Sequence, residues 1–117
     1  LIKAHYREQD VFHGSFTEES GRTAFETLYA QGCDGFFVEN DMMAKGVLAA
    51  AKEKGIHIGE NCKFAVYDYE GTENVISVRQ NLSLMAEKAI DRLIERIEEP
   101  EKLMPAGNFY ITPLVEN

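Results

Sequence analysis

Positive charge is scarce in this chain. Twelve lysines and arginines stand against 20 aspartates and glutamates in 117 residues, a formal net charge of −8. Affinity for nucleic acid comes mainly from cations that neutralise phosphates, so this chain is poorly suited to touch DNA or RNA itself. Cysteine is scarce too. Cys33 and Cys62 fall in neither a Cys-x-x-Cys nor a metal-ligand spacing. Two reduced thiols in a cytosolic protein are the simplest reading, ahead of a disulfide or redox pair. His5, His13 and His57 are scattered, with no spacing that suggests a metal. No apolar run approaches membrane-spanning length, and no signal peptide opens the chain. P-loop, G-x-G-x-x-G and G-x-S-x-G motifs are absent, and no nucleophile–base constellation is visible. These gaps point away from an enzyme and imply no cofactor, no metal and no membrane partner. No repeat or low-complexity tract divides the chain, whose length suits one domain with a real core.

What is present is an alternation of strand and helix patterns. Asp10–His13 reads as a short strand. Ser15 to Glu18 fits a capping box with Ser15 as the cap, and Thr17 is an equally good cap. The helix that follows sets Ala24, Phe25, Leu28 and Tyr29 on one face, and Gly32 ends it. Gly35–Glu39 is an apolar run of the kind covered on both faces. Asp41 is expected to cap the helix Met42–Lys54, which is rich in small residues and stops at Gly55. Lys63–Tyr67 is a third strand, Val75–Val78 a short one, and Asn108–Thr112 a last one. Leu84–Glu98 is amphipathic, with Met85, Ala89, Leu93 and Ile97 in a stripe. The expected fold class is α/β: a mostly parallel sheet with helices on both faces.

Strand ends locate the chemistry. Ligands of open α/β sheets bind at the carboxyl ends of the strands. Phe16, Asn40 and Asp68 follow the first, second and third expected strands. An aromatic face, an amide and a carboxylate suit a small polar ligand with an apolar face, such as a sugar. Each residue also has a plainer role open to it. Phe16 can pack the first helical turn, Asn40 can pin a turn and Asp68 can be a solvated loop carboxylate. Asp41 reads as a cap, not as a ligand group. The acidic pairs Glu18-Glu19 and Glu98-Glu99 read as solvated faces, and Met42-Met43 as packing.

The run FFVENDMMAKGVLAAAKEKGIHI resembles the core of the effector-binding domain of LacI/GalR-family transcription regulators, which share their fold with periplasmic sugar-binding proteins. GSFTEESG before it, CKFAVYDYE after it and ITPLVEN at the end fall in the family's order, so the resemblance runs from about Val11 to Asn117. It implies one lobe of a periplasmic-binding-protein-like type I fold. In such relatives the aromatic matching Phe16 stacks on the effector, and residues matching Asn40 and Asp68 hydrogen-bond it. Gln80 matches a further polar position at the pocket edge. The implied partners are a small-molecule effector, a second copy of the chain in a homodimer, and DNA through a separate N-terminal segment; the implied location is cytoplasmic. From the residues themselves, the helix after Asp41 carries Met43, Ala44, Val47, Leu48 and Ala51, more apolar surface than one sheet face needs. Part of it, or of the helix near Thr17, is expected to form a two-fold interface, the alternative being that all of it faces the sheet.

On this reading residues 1–10 are the end of a connecting helix from a preceding lobe, and 11–117 are the C-terminal lobe. The opening residue Leu1 suggests a piece of a longer protein, with a sugar-contacting arginine of the family lying before it. Two departures stand out: Val66 replaces the family's usual glycine, and the segment between Asp68 and Gln80 is short. Two alternatives change the role: a sugar-binding protein of an ABC transporter, with the same fold, and a stand-alone, ligand-free flavodoxin-like interaction module.

Overall fold

Glycines delimit the first two helices at one end and side-chain caps at the other. The computed structural model describes residues 7–71, 74–102 and 110–116. Helix α1 is Glu18–Ala30 and α2 is Asp41–Glu53. Both end in the same way. Gly32 (φ +91°) and Gly55 (φ +69°) take the left-handed conformation that glycine adopts freely. The next residues, Cys33 and Ile56, donate back to the carbonyls of Leu28 and Ala51. This Schellman geometry satisfies carbonyls that the helix leaves open.

Of the two expected caps for α1 the structure takes the second, and the cap of α2 falls one residue before the expected one. At α1 the cap is Thr17, whose hydroxyl accepts from Ser20 N–H at 3.1 Å. Ser20, not Glu18, closes the box by accepting from Thr17 N–H. At α2 the cap is Asn40, whose Oδ1 accepts from Met43 N–H at 2.9 Å. Asp41 is not the cap; it is the first helical residue, and its carboxylate pairs with Lys45 at 2.7 Å.

Among the described residues four strands form one sheet in the order β1 (Gly35–Val38), β2 (Lys63–Tyr67), β3 (Ile76–Arg79), β4 (Leu114–Glu116). The first three are parallel, and β4 is antiparallel to β3. Parallel neighbours need a crossover, which α2 supplies between β1 and β2. The expected mostly parallel α/β sheet is thus present. The expected strand at Asp10–His13 is not formed: Glu8–Asp10 is a single 3-10 turn and Val11 onward pairs with no strand. Residues 1–6 of the expected connecting helix lie outside the described residues, as do Asn108 and Phe109 of the expected last strand. Tyr110–Thr112 is not in a strand; β4 lies two residues further on.

Alternation along the strands sets up the core. Phe36 and Val38 of β1 pair in register with Phe64 and Val66 of β2, and all four face α1 and α2. Phe25 of α1 packs on Phe36 with centroids 5.3 Å apart, and Phe36 stacks on Phe64 at 5.3 Å. Ala44, Val47, Leu48, Ala50 and Ala51 of α2 are buried in the same cluster. The apolar surface of α2 that suggested a two-fold interface is therefore used inside the chain, largely against α1. Two glycines allow that approach. A Cβ on Gly21 would stand 2.1 Å from the carbonyl oxygen of Met43, and one on Gly46 would stand 1.8 Å from that of Glu18.

Helix α3 (Leu82–Glu98), capped by Asn81, buries no residue. Its stripe is exposed, from 41% at Met85 to 70% at Ile97. It runs on the side of the second sheet face, where Phe37 is also exposed. The molecule is accordingly long, 61 × 29 × 28 Å, with a radius of gyration of 19.0 Å; a closed domain of this length would have about 13 Å.

Candidate functional site

The starts of α1 and α2 and the end of β2 meet at the carboxyl edge of the sheet. Phe16, Glu39, Asn40, Asp41, Met42, Tyr67 and Asp68 line a hollow there of about 350 Å³. Three of the four residues expected at a site are thus brought together: Phe16, Asn40 and Asp68. The volume is near the lower end of small-molecule sites.

Each is held by its neighbours. Phe16 precedes the cap of α1 and has φ +60°, with its side chain 67% exposed over the hollow. Asp68 has φ +55° at the end of β2. Among the described residues these are the only non-glycine residues at positive φ, a conformation that costs energy for a bulky side chain. Such strain gathers where a surface is shaped for a ligand. It favours function over packing for Phe16; Asp68 is of a type that enters this region with little strain.

Asn40 serves two purposes. Its Oδ1 is spent on the α2 cap, so the turn-pinning role is real. Its Nδ2 is buried and has no partner among the described residues. A buried unpaired donor costs about 1–3 kcal/mol, which a hydrogen bond donated to a ligand or water oxygen would recover.

Asp68 is gripped by Gln80. Gln80 N–H donates to Oδ1 at 2.8 Å and Gln80 Nε2 donates to Oδ2. The backbone hydrogen bond, then the side-chain one, hold the Asp68 carboxyl below its ordinary range, and the Arg79 charge adds a smaller pull. The carboxylate is therefore ionised and oriented, with lone pairs remaining for a ligand. Gln80 itself does not line this hollow. It acts through Asp68, and borders a second, larger hollow of about 670 Å³ along α3, shared with Tyr67, Met85, Lys88 and Arg92. The larger space is open along the uncovered helix, whereas the strand-end hollow holds the convergent polar groups.

The short segment after Asp68 folds inward. Tyr69 is buried in the core and its carbonyl accepts from Ser77 Oγ at 2.8 Å. Arg79 ties the segment further, donating to Glu70 (2.7 Å) and to Glu116 of β4 (3.3 Å). Tyr67, Glu39 and Met42 were not anticipated at the site. Tyr67 had a signal: with Phe64 and Val66 inward, period-2 alternation puts Tyr67 on the other face, at the strand's carboxyl end. Both cysteines are free, and burial pushes the Cys62 thiol pKa up. Among the described residues no helix is long and apolar enough to cross a membrane.

The family model of the periplasmic binding protein-like domain matches residues 3–114. The chain belongs to that family. Within it, the chain is a LacI/GalR-type effector-binding domain. It is 32% identical over 97 residues to an uncharacterized HTH-type transcriptional regulator of Streptomyces limosus, a match covering 77% of this chain and 27% of that protein. It is 30% identical over 96 residues to the HTH-type transcriptional repressor PurR of Pasteurella multocida, covering 76% and 29%. The chain thus spans less than a third of the length of these relatives. Among solved structures, the transcriptional regulator CelR–cellobiose complex superposes with a TM-score of 0.77 at 25% identity, covering 97% of this chain and 36% of that one. A LacI-family regulator from Enterococcus faecium with bound ribose gives 0.72 at 21%, covering 89% and 40%. CcpA of Lactococcus lactis gives 0.78 at 21%, covering 97% and 43%. Each of these relatives is a transcription regulator.

Proposed function

We propose that this chain is the C-terminal lobe, residues 11–117, of the effector-binding domain of a cytoplasmic LacI/GalR-type regulator, with residues 1–10 leading in from a preceding lobe. The effector is a small hydroxylated metabolite of the sugar class, held between the two lobes. The observation that carries this reading is the meeting of Phe16, Asn40 and Asp68 on one hollow at the carboxyl edge of the sheet. The ring offers a face for C–H groups, Asn40 an unpartnered donor, and Asp68 an ionised acceptor. Structures of relatives with cellobiose and ribose support the sugar class.

Regulation follows from differential binding. A ligand shifts an equilibrium only by its differential affinity for the two states. Here the two states are open and closed lobes in a homodimer, and closure sets how a separate N-terminal segment meets DNA. The acidic charge of this lobe leaves that contact to other parts of the protein.

Asp68→Asn in the intact regulator is the test. Asparagine tolerates the left-handed backbone and can still accept from Gln80 N–H. Removing a charged hydrogen-bond partner should weaken the effector about 10- to 100-fold, while operator binding without effector stays at the wild-type level. A variant whose operator binding still responds to effector at wild-type concentrations would show that Asp68 is not in the site.

A further inference from the structure

Helix α3 faces the wrong way for a helix that serves only this lobe. Its apolar residues Leu82, Ala86, Ala89, Ile90, Leu93 and Ile97 recur at helical spacing on one side, and every one of them is exposed. The residues that it half-buries, Leu84, Arg92 and Glu95, lie on the other side. There Glu95 accepts from Arg92 at 2.9 Å and from Lys102 at 2.7 Å. The chain thus holds α3 by its polar flank and points the apolar face outward. Packing of an amphipathic face supplies most of a helix's stability in a protein, and a contiguous exposed apolar face marks a contact surface.

The root of the helix indicates what lies across that face. Strand β3 ends at Arg79, at the carboxyl edge of the sheet, and α3 begins at Leu82. Between them Gln80 grips Asp68 of the strand-end hollow, and Asn81 caps α3 by accepting from Leu84 N–H at 3.1 Å. The larger hollow along α3 adjoins the strand-end one, since Tyr67 lines both. A body seated on α3 therefore stands beside the mouth of the strand-end hollow. A lobe that closes over an effector must reach that mouth, whereas a second copy has no such requirement. The relatives' fold has chain enough for such a lobe: CelR and CcpA superpose on 97% of this chain, which accounts for only 36% and 43% of them.

We infer that the apolar face of α3 is the seat of the preceding lobe, which packs on Leu82, Ala86, Ile90, Leu93 and Ile97 and is thereby anchored beside the effector hollow. This inference rests on the proposed two-lobe reading and adds the surface by which the lobes are joined. The surface that meets α3 is apolar, and large side chains on it suit the places where Ala86 and Ala89 leave room.

The test is photo-crosslinking in the intact regulator, with p-benzoylphenylalanine in place of Leu93 on the apolar face or of Asp91 on the polar flank. On irradiation the Leu93 label should join, within one chain, a peptide that precedes Leu1. The Asp91 label should give at least about fivefold less of that product, since opposite sides of a helix stand about 10 Å apart. Cross-linked dimers from the Leu93 label would assign the face to a second copy, and products confined to residues 1–117, or no product, would leave it without the lobe; each overturns the inference. Ile90→Asp should lower the melting temperature of the intact regulator by about 5 °C or more, and Asp91→Asn should shift it by less than about 2 °C. Equal melting of the two variants also overturns it. Asp68→Asn reads the effector site separately. Effector response lost in Asp68→Asn while the Leu93 label finds a second copy would leave the site reading standing and remove only this inference. A Leu93 product preceding Leu1, with effector response unchanged in Asp68→Asn, would keep the lobe on α3 and remove the site reading.

Discussion

Replacing Gly46 by alanine should destabilise this domain, although alanine is the better helix former. In an exposed helix interior the exchange would gain about 1 kcal/mol. Here the new Cβ would stand 1.8 Å from the Glu18 carbonyl oxygen, 2.7 Å from its carbon and 2.9 Å from Arg22 N. All three are backbone atoms of the first turns of α1, so no side chain can swing aside. Helix α1 must retreat by more than an ångström to restore ordinary contact. That retreat loosens Ala24 and Phe25 in the core. Overpacking costs about 1–3 kcal/mol and lost packing adds to it, leaving a net loss of about 2 kcal/mol after the propensity gain. The melting temperature should fall by about 10 °C. The consequence reaches the site, because Phe16 precedes α1 and Asn40 caps α2; separating the helices separates these two and should weaken effector binding. Thermal unfolding by circular dichroism measures the first effect, and calorimetry on the intact regulator the second. Gly35→Ala is the control, since its Cβ would meet nothing within 4 Å; it should change stability by less than about 1 kcal/mol. A Gly46→Ala protein that melts at or above the wild-type temperature would refute the helix-contact account.

Three further outcomes are expected. Asn40→Ser should keep the α2 cap, because serine caps as well as asparagine, and so hold stability within about 0.5 kcal/mol; lacking Nδ2 it should lose effector response. Unchanged response would show that Nδ2 does not meet the ligand. Gln80→Ala should let the Asp68 pKa rise towards the ordinary value, as followed by carbonyl NMR. The folded pKa is lowered, so its stabilisation is complete at neutral pH and lost as pH falls below the ordinary aspartate range through the folded value. Gln80→Ala should therefore be less stable at neutral pH and converge with wild type at low pH; parallel acid-unfolding curves would contradict this. Finally, residues 1–117 alone should bind sugars no tighter than about millimolar. One wall leaves Asn40 and Asp68 exchanging water for hydroxyls at about 1 kcal/mol per bond, with the association entropy unmet. Micromolar binding by calorimetry would remove the two-lobe account.

Local chemistry made much of this fold legible in the sequence. Gly32 and Gly55 ended their helices because only glycine enters the left-handed region freely, and that requirement is local. Strand β2 ran from Lys63 to Tyr67 as its β-preferring residues indicated. Asn40 and Asp68 fell at one edge because parallel strands all point the same way. Single-residue choices were less legible. Asn40 and Asp41 cap equally well by type, and so do Ser15 and Thr17; where the backbone turns into the helix decides between them. Asp10–His13 had a strand's composition but pairs with no strand, and a strand exists only when its backbone finds a partner.

What the sequence determined alone was therefore the set of local preferences: helix ends, strand composition, acidic charge, and the residue types available at strand ends. Only the tertiary structure decided how they combine. It spent the small residues of α2 on α1 through Gly21 and Gly46, where the apolar content of the helix had suggested a surface for a second copy. It left the α3 stripe exposed, because an amphipathic face is buried only if another surface reaches it. It also set Gln80 on Asp68, 12 positions away, converting an expected pocket residue into the group that orients one. Those outcomes depend on distances between segments, and such distances arise only when the whole chain packs.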